Sequence, residues 1–127
     1  MLSGSQIFPT LPASDIERAA RFYEDKLGLK KVDMPQPEGS AIYQAGDCSR
    51  FLVYKSAAKP GEATAAFFLV DDLDVEMKGL RDNGVAFEEY EMEGLRTENG
   101  IYTEDGMRAA WFKDSEGNTL SLTEMAK

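Results

Sequence analysis

The sequence predicts an α+β fold of two βαβββ modules. Three observations carry that expectation: two amphipathic helical segments with marked starts and stops, apolar runs paired around polar turns, and a correspondence of both features between the two halves of the chain. The clearest element is the last, Met107 to Glu124, where Ala109-Ala110-Trp111-Phe112 meets the polar turn Asp114-Ser115-Glu116-Gly117-Asn118 and a second apolar run from Leu120 to Thr123. It reads as a β-hairpin.

Taken in order, Gln6 to Leu11 is a short strand interrupted by Pro9, which lacks a ladder donor and so belongs at a sheet edge. Ser14-Asp15-Ile16-Glu17 has the form of a capping box with Ser14 as N-cap. Ile16, Ala19, Ala20, Tyr23 and Leu27 then make one apolar stripe that Gly28 closes, which predicts a helix from Asp15 to Leu27. Three strands in succession are then predicted, at Leu29 to Met34 and, past a break at Pro35, Pro37 and Gly39, at Ser40 to Gln44 and Arg50 to Ser56. Lys59-Pro60-Gly61-Glu62 combines two breakers with charge and marks the joint between the modules.

The second half opens with Thr64 to Val70, a continuous apolar run too short for a helix, predicted as a strand buried on both faces. Leu73, Met77 and Leu80 predict a helix from Asp72 to Asn83, stopped by Gly84, and Ala86 to Met92 is expected to return as a strand. Glu93 to Gly106, polar and punctuated by Gly94, Gly100 and Gly106, reads as a loop or lid. The halves align twice. Ser14-Asp15-Ile16 through Gly28 matches Asp71-Asp72-Leu73 through Gly84, with a shift of 57 at the start and 56 at the end. The hairpin Ala41-Ile42-Tyr43 to Phe51-Leu52-Val53 matches Ala110-Trp111-Phe112 to Leu120-Ser121-Leu122 at a constant shift of 69. Module one is expected over about 6–57 and module two over about 64–125, in one domain of 127 residues.

Composition narrows the function classes. Fourteen basic against twenty-three acidic residues give a net charge of −9, which repels phosphate backbones and argues against nucleic acid as a partner. No apolar run has the length of a membrane span. With one cysteine, Cys48, there is no internal disulfide framework, and with no charged-then-apolar leader a cytoplasmic location is the simplest expectation. The chain has no histidine, which excludes Ser-His-Asp and Cys-His nucleophilic chemistry and removes the commonest ligand of transition metals.

With the two βαβββ modules, the helix start Asp72-Leu73, the phrase FYEDKLGL from Phe22 to Leu29 and WFKDSEGNTLSL from Trp111 to Leu122, the chain resembles the vicinal oxygen chelate superfamily of glyoxalase I, bleomycin-resistance proteins and extradiol dioxygenases. That resemblance covers nearly the whole chain. It implies a curved mixed sheet around a cavity, helices on the convex side, and a homodimer. It also implies that the four metal-ligand positions of metal-dependent relatives fall on Phe8, Leu52, Ala65 and Ser121, and that these converge on one cavity. None of the four is a metal ligand, so no metal and no cofactor are expected. Glu124, three residues from Ser121, is expected on the opposite face of its strand.

Strand alternation from those anchors gives an expected ligand-binding face of Phe8, Thr10, Leu52, Tyr54, Ala65, Phe67, Trp111 and Ser121, joined by Thr119 and Thr123. Phe51, Val53, Phe68, Phe112, Leu120 and Leu122 are left for the helix-facing core. One face is hydrocarbon; the other mixes rings with hydroxyls, as a small-molecule pocket does. Trp111 and Tyr54 could equally fill a closed interior or a dimer interface. Tyr54 could donate a proton only beside an activating neighbour, since an unperturbed phenol titrates near about pH 10. Glu88, Glu89, Glu91 and Glu93 read as a solvated acidic face, and Arg96 and Tyr102 as loop residues that could close over a ligand or be plainly exposed. The leading expectation is a metal-independent small-molecule binding protein that sequesters an apolar or cationic aromatic ligand. The alternative is a lyase or isomerase of the same superfamily, other than metal-dependent glyoxalase I.

Overall fold

The computed structural model describes residues 3–4, 6–34, 38–61 and 63–125. The chain divides into two compact units, Met1–Lys59 and Pro60–Lys127. The first contains β1 (Thr10–Ala13), α1 (Ile16–Arg21) continued by a π-helical turn (Phe22–Lys26), β2 (Lys30–Lys31), β3 (Ser40–Ala45) and β4 (Ser49–Lys55). The second contains β5 (Thr64–Leu69), α2 (Leu73–Asp82), β6 (Glu91–Met92), β7 (Leu95–Arg96), β8 (Tyr102–Glu104), β9 (Met107–Lys113) and β10 (Thr119–Met125). Each unit builds a four-stranded mixed sheet, ordered β1-β4-β3-β2 in one and β5-β10-β9-β8 in the other. The first strand of each is parallel to the last, and the other pairs are antiparallel. The α+β class is as the sequence predicts.

The internal repeat extends to the register. Ile42 opposes Leu52 and Tyr43 opposes Phe51 in the first hairpin; Trp111 opposes Ser121 and Phe112 opposes Leu120 in the second, each position 69 residues on. Thr10 opposes Leu52 as Phe67 opposes Ser121, 57 residues later in the first strand. Both helices start on aspartate. Asp15 Oδ1 accepts the Arg18 N–H at 3.0 Å and Asp72 Oδ1 accepts the Val75 N–H at 3.2 Å. The N-cap is thus Asp15 and not the predicted Ser14, whose hydroxyl takes the Arg18 guanidinium at 3.2 Å instead. The change of shift from 57 to 56 has a structural cause: the π turn, in which the Leu27 N–H reaches back to Phe22 O at 3.1 Å, absorbs the extra residue of the first helix before Gly28 ends it.

Each helix covers the face of its sheet that alternation assigns to hydrocarbon. In the first unit Phe51 and Val53 of β4 are buried with Leu11, Ala19, Phe22, Tyr23, Ala41 and Tyr43. Tyr23 stacks on Tyr43 at 5.5 Å and meets Phe51 edge-on at 5.3 Å. In the second, Phe112, Leu120 and Leu122 are buried with Leu73, Met77, Val85 and Ala110, while Phe68 is half-buried. Helix α2 is also tied electrostatically. Glu124 Oε2 accepts the Leu73 N–H at 2.8 Å, and Arg108 pairs with Asp74 at 3.0 Å and with Glu124 Oε1 at 3.3 Å. Glu124 therefore lies on the helix side, away from Ser121, as expected.

Four predicted elements differ. Pro9 precedes β1 and does not interrupt it; Pro9 O accepts the Leu52 N–H at 2.9 Å, and Pro12 is the proline within the strand, tolerated because β1 is an edge. The run Thr64 to Val70 is not buried on both faces: β5 pairs only with β10, and Phe67 and Leu69 are 62% and 69% exposed. Ala86 to Met92 is largely not a strand. It touches the sheet through the Phe87–Phe112 bridge and the Glu88 N–H to Trp111 O bond at 2.8 Å, then leaves as the small β6–β7 hairpin. The segment read as a loop supplies β8, which takes the place in its sheet that β2 takes in the other. The predicted breakers Pro35 and Pro37, and Glu62 of the predicted joint, lie outside the described residues.

The β9–β10 turn is built on one carboxylate. Asp114 Oδ1 accepts the N–H groups of Glu116 and Asn118, both at 2.8 Å, and Oδ2 accepts Asn118 Nδ2 at 2.8 Å, with Asp114 and Asn118 both buried. Gly117 has φ of 91°, and a Cβ there would approach Pro60 Cγ to 3.2 Å, so only glycine suits the turn. Replacing Asp114 by Ala strands these donors and should lower unfolding free energy by about 1–3 kcal/mol, measurable by urea denaturation. A second prediction concerns Tyr43, whose hydroxyl donates to Glu24 Oε2 at 3.0 Å. Burial, then that carboxylate, push the phenol well above its ordinary range. Its contribution is full below the unfolded value of about 10 and is lost as pH rises toward the folded one. Tyr43→Phe should therefore cost about 1 kcal/mol at neutral pH and show a shallower stability loss above about pH 10 than the parent chain.

Candidate functional site

Alternation across the ladders decides which side chains share a face. In the first unit Thr10, Leu52 and Ile42 form one row, and Tyr54 stands opposite Ser40 in the next, all on the side away from α1. Thr10, Leu52 and Tyr54 line a cavity of about 360 Å³ together with Glu38, Gly39, Ser40 and Lys55. Sequence reading missed the last four. Gly39 carries φ of 77° and its carbonyl accepts the Lys55 N–H at 3.1 Å, which brings the turn before β3 over the end of β4. Phe8 lies before β1, half-buried, and is absent from that lining.

In the second unit Phe67, Ser121 and Trp111 form one row across β5, β10 and β9. Thr119 and Thr123 flank Ser121 on the same face and all three are buried. Ala65 sits where the β5–β10 register shifts, exposed. Ser121 Oγ is turned onto the Leu122 carbonyl at 3.2 Å. Trp111 is half-buried and held by its ring nitrogen, which donates to Thr64 Oγ1 at 3.0 Å. Lys113, one turn of the pleat further on, donates to Thr119 Oγ1.

Two tyrosines complete the surroundings of Trp111. Tyr90 meets it at 5.7 Å with ring planes at 86°, and Tyr102 at 6.2 Å and 53°. Tyr102 donates to Glu104 Oε2 at 2.7 Å, and that bond, ahead of desolvation, pushes its phenol up; desolvation, then the Glu88 charge, does the same to Tyr90. Tyr90 is placed by its N–H to Thr97 Oγ1 at 2.8 Å and by the Thr97 N–H to its own carbonyl at 2.9 Å. The acidic run is thus more than a solvated face. Glu89, pointing the other way, takes the Thr97 hydroxyl at 2.8 Å and the Gly100 N–H at 2.5 Å, clasping the 97–100 turn. Arg96 pairs with Glu91 on the surface at 3.3 Å. Tyr90 was the residue hidden from sequence reading, and its signal was alternation: it shares a side with Glu88, opposite Phe87, which faces Phe112.

A family model for the Glyoxalase/Bleomycin resistance protein/Dioxygenase superfamily matches residues 6–122. The chain belongs to this superfamily. Solved structures agree on the fold. The chain is similar to TnmS3, an antibiotic binding protein from Streptomyces sp. CB03234, at TM-score 0.71 and 21% identity, covering 95% of this chain and 97% of that one. It is similar to lactoylglutathione lyase from Agrobacterium tumefaciens at TM-score 0.68 and 20% identity over 94% and 93% of the two chains. The fosfomycin resistance protein FosX from Mesorhizobium loti matches at TM-score 0.66 and 16% identity over 98% and 93%. Among curated proteins no sequence matches this chain.

The superfamily includes metal-dependent members, so the donor chemistry matters. The positions that the resemblance assigns to ligands in them are here two hydrocarbon side chains, Leu52 and Ala65, one ring, Phe8, and one hydroxyl, Ser121, engaged with a backbone carbonyl. That set does not fit a transition metal, which needs imidazole, thiolate or carboxylate donors. Among the described residues no group of three or more acidic or cysteine side chains is gathered elsewhere for such an ion. Nor is any described helix long and apolar enough to cross a membrane.

Since the Trp111 ring is oriented through Thr64, Thr64→Val should leave the fold intact, cost less than about 1 kcal/mol, and shift the emission of the chain's one tryptophan. Unchanged emission would show that the bond does not set the ring's environment.

Proposed function

We propose that this protein is a small-molecule binding member of its superfamily that uses no metal and sequesters an apolar or cationic aromatic ligand. The observation that carries this reading is the Trp111 face: a half-buried indole flanked by two tyrosines, with the hydroxyl of Ser121 and the exposed ring of Phe67 in the same row. Flat rings with few, placed polar groups are what a ligand-stacking surface requires. The likeness to the antibiotic binding protein TnmS3 supports the class of function. Taken unit by unit, the residues proposed for ligand contact are Thr10, Leu52 and Tyr54, with Phe8, in the first, and Phe67, Trp111 and Ser121, with Ala65, in the second.

The same proposal includes a homodimer and a cytoplasmic location. The exposed Phe67 and Leu69 on an edge strand are the kind of surface a second copy covers, and the lone exposed Cys48 suits a reducing compartment. A second reading, a lyase or isomerase, draws on the first unit's cavity, whose lining includes Tyr54, Glu38 and Lys55. It would run on proton transfer by these groups.

A thermal-shift screen of a chemically diverse set of aromatic compounds is expected to yield stabilisers, because selective binding to the native state raises stability by mass action, about 2.7 kcal/mol at a hundredfold excess over Kd. Those hits should be lost in Trp111→Ala. A screen without hits would overturn the binding reading, and turnover of a methylglyoxal hemithioacetal abolished by Tyr54→Phe would replace it with the enzymatic one.

A further inference from the structure

The surroundings of Trp111 carry a more specific chemistry than aromatic stacking. We propose that Tyr90, Tyr102 and Trp111, with the carboxylates of Glu88 and Glu104, form a subsite for an alkylated ammonium group on the ligand. The proposal rests on the binding-protein reading and names the ligand class for that site.

The geometry comes first. Tyr90 and Trp111 stand 5.7 Å apart at 86°, and Tyr102 lies 6.2 Å from Trp111 at 53°, so the three rings present walls in different directions and do not stack into one slab. Walls of that kind surround a rounded cation with the negative faces of aromatic rings, each contributing attraction that grows as water is excluded. All three rings are half-buried, partly shielded and still reachable.

Charge is the second observation. Glu104 accepts the Tyr102 hydroxyl at 2.7 Å, a bond that leaves the ring more electron-rich and fixes a carboxylate at its rim. Glu88 is bound through its N–H to the Trp111 carbonyl at 2.8 Å, two residues before Tyr90, and after desolvation its charge is what raises the titration of that phenol. Neither acid is engaged by a described cation. The basic groups that stack on rings do so elsewhere, Arg81 over Phe87 at 5.2 Å and Lys26 over Phe22 at 5.8 Å, while Arg108 is held by Asp74 and Glu124 on the helix side of the sheet. Among the described residues no cation stacks on the three rings, Lys113 on the same face of β9 being bonded to Thr119 Oγ1, and the net charge of −9 favours the approach of a positive ligand.

The test uses the full chain and its single tryptophan as reporter. Titration with tetramethylammonium and benzyltrimethylammonium should quench or shift Trp111 emission saturably, the benzyl compound binding more tightly. The neutral isostere 3,3-dimethylbutan-1-ol should bind at least about tenfold more weakly. Tyr90→Leu and Glu88→Gln, both keeping the reporter, should each weaken the cations about fivefold without changing the circular dichroism spectrum. Equal affinity for cation and isostere would overturn the subsite, as would quenching that persists undiminished in both variants, which would mark it as a general effect of the acidic surface. Neutral aromatic compounds that bind while both ammonium probes fail would sink the cation subsite and leave the binding reading standing; failure of every probe would sink both.

Discussion

The register of the β9–β10 hairpin is the constraint on which the second unit depends. β10 is the one strand of its sheet that pairs on both sides with long strands, β9 and β5, so a slip of one residue would turn Leu120 and Leu122 away from α2 and bring Ser121 and Thr123 under it. The turn prevents that slip. Asp114 gathers two backbone N–H groups and the Asn118 amide within a five-residue loop whose two ends, Asp114 and Asn118, are buried, and each of those bonds fails if the loop gains or loses a residue. A carboxylate accepting three bonds at 2.8 Å does this more firmly than a hydroxyl or an amide would, because charge-assisted bonds are roughly twice as strong as neutral ones.

The first unit solves the same problem with rings. Its hairpin places Tyr43 opposite Phe51 at the register where the second places Phe112 opposite Leu120, and the tyrosine reaches through the core to Glu24 on the π turn. An extra residue in the helix would normally rotate everything after it by about 100°. The π turn takes up that residue before Gly28, so the chain leaves the first helix at a point equivalent to its exit from α2 at Gly84. Two modules that differ in length and in core composition thereby keep the same strand order.

Much of this was legible in the sequence. The period-2 and period-3.6 patterns located both helices and both hairpins, and the constant shift of 69 anticipated a register match that the ladders show residue for residue. What escaped has a physical pattern. The Thr64 to Val70 run looked doubly buried because an apolar edge strand and an apolar central strand read alike; only the partner list tells them apart. Ala86 to Met92 looked like a strand because Phe87 and Tyr90 are strand formers, yet one bridge is all it makes with the larger sheet before Glu91 and Met92 pair with β7, and the three-residue β8 among the glycines takes its place. At the candidate site, the ladders put Leu52 and Thr10 in one row and Phe67, Trp111 and Ser121 in another, the rows that alternation from the resemblance's anchors expects, whereas Glu38 and Tyr90 lie outside the strands, where the path of the chain is encoded by no periodicity.

Alternation also sorts charge in the second unit. Along β9, Arg108 points to the helix side and is matched there by Asp74 and Glu124, so its cation serves the attachment of α2. Trp111 points to the other side, three residues on, where Glu104 accepts the Tyr102 hydroxyl and the Glu88 charge acts on Tyr90, while Lys113 on the same face is bonded to Thr119. Had the parity been reversed, the guanidinium would stand among the rings and fill the very place a ligand cation would need. The separation of one arginine from three rings by a single strand's two faces is what leaves the aromatic surface available on a sheet whose other face carries a partly exposed ion pair. A ligand recognised there would be selected by the sign of its charge as much as by its shape.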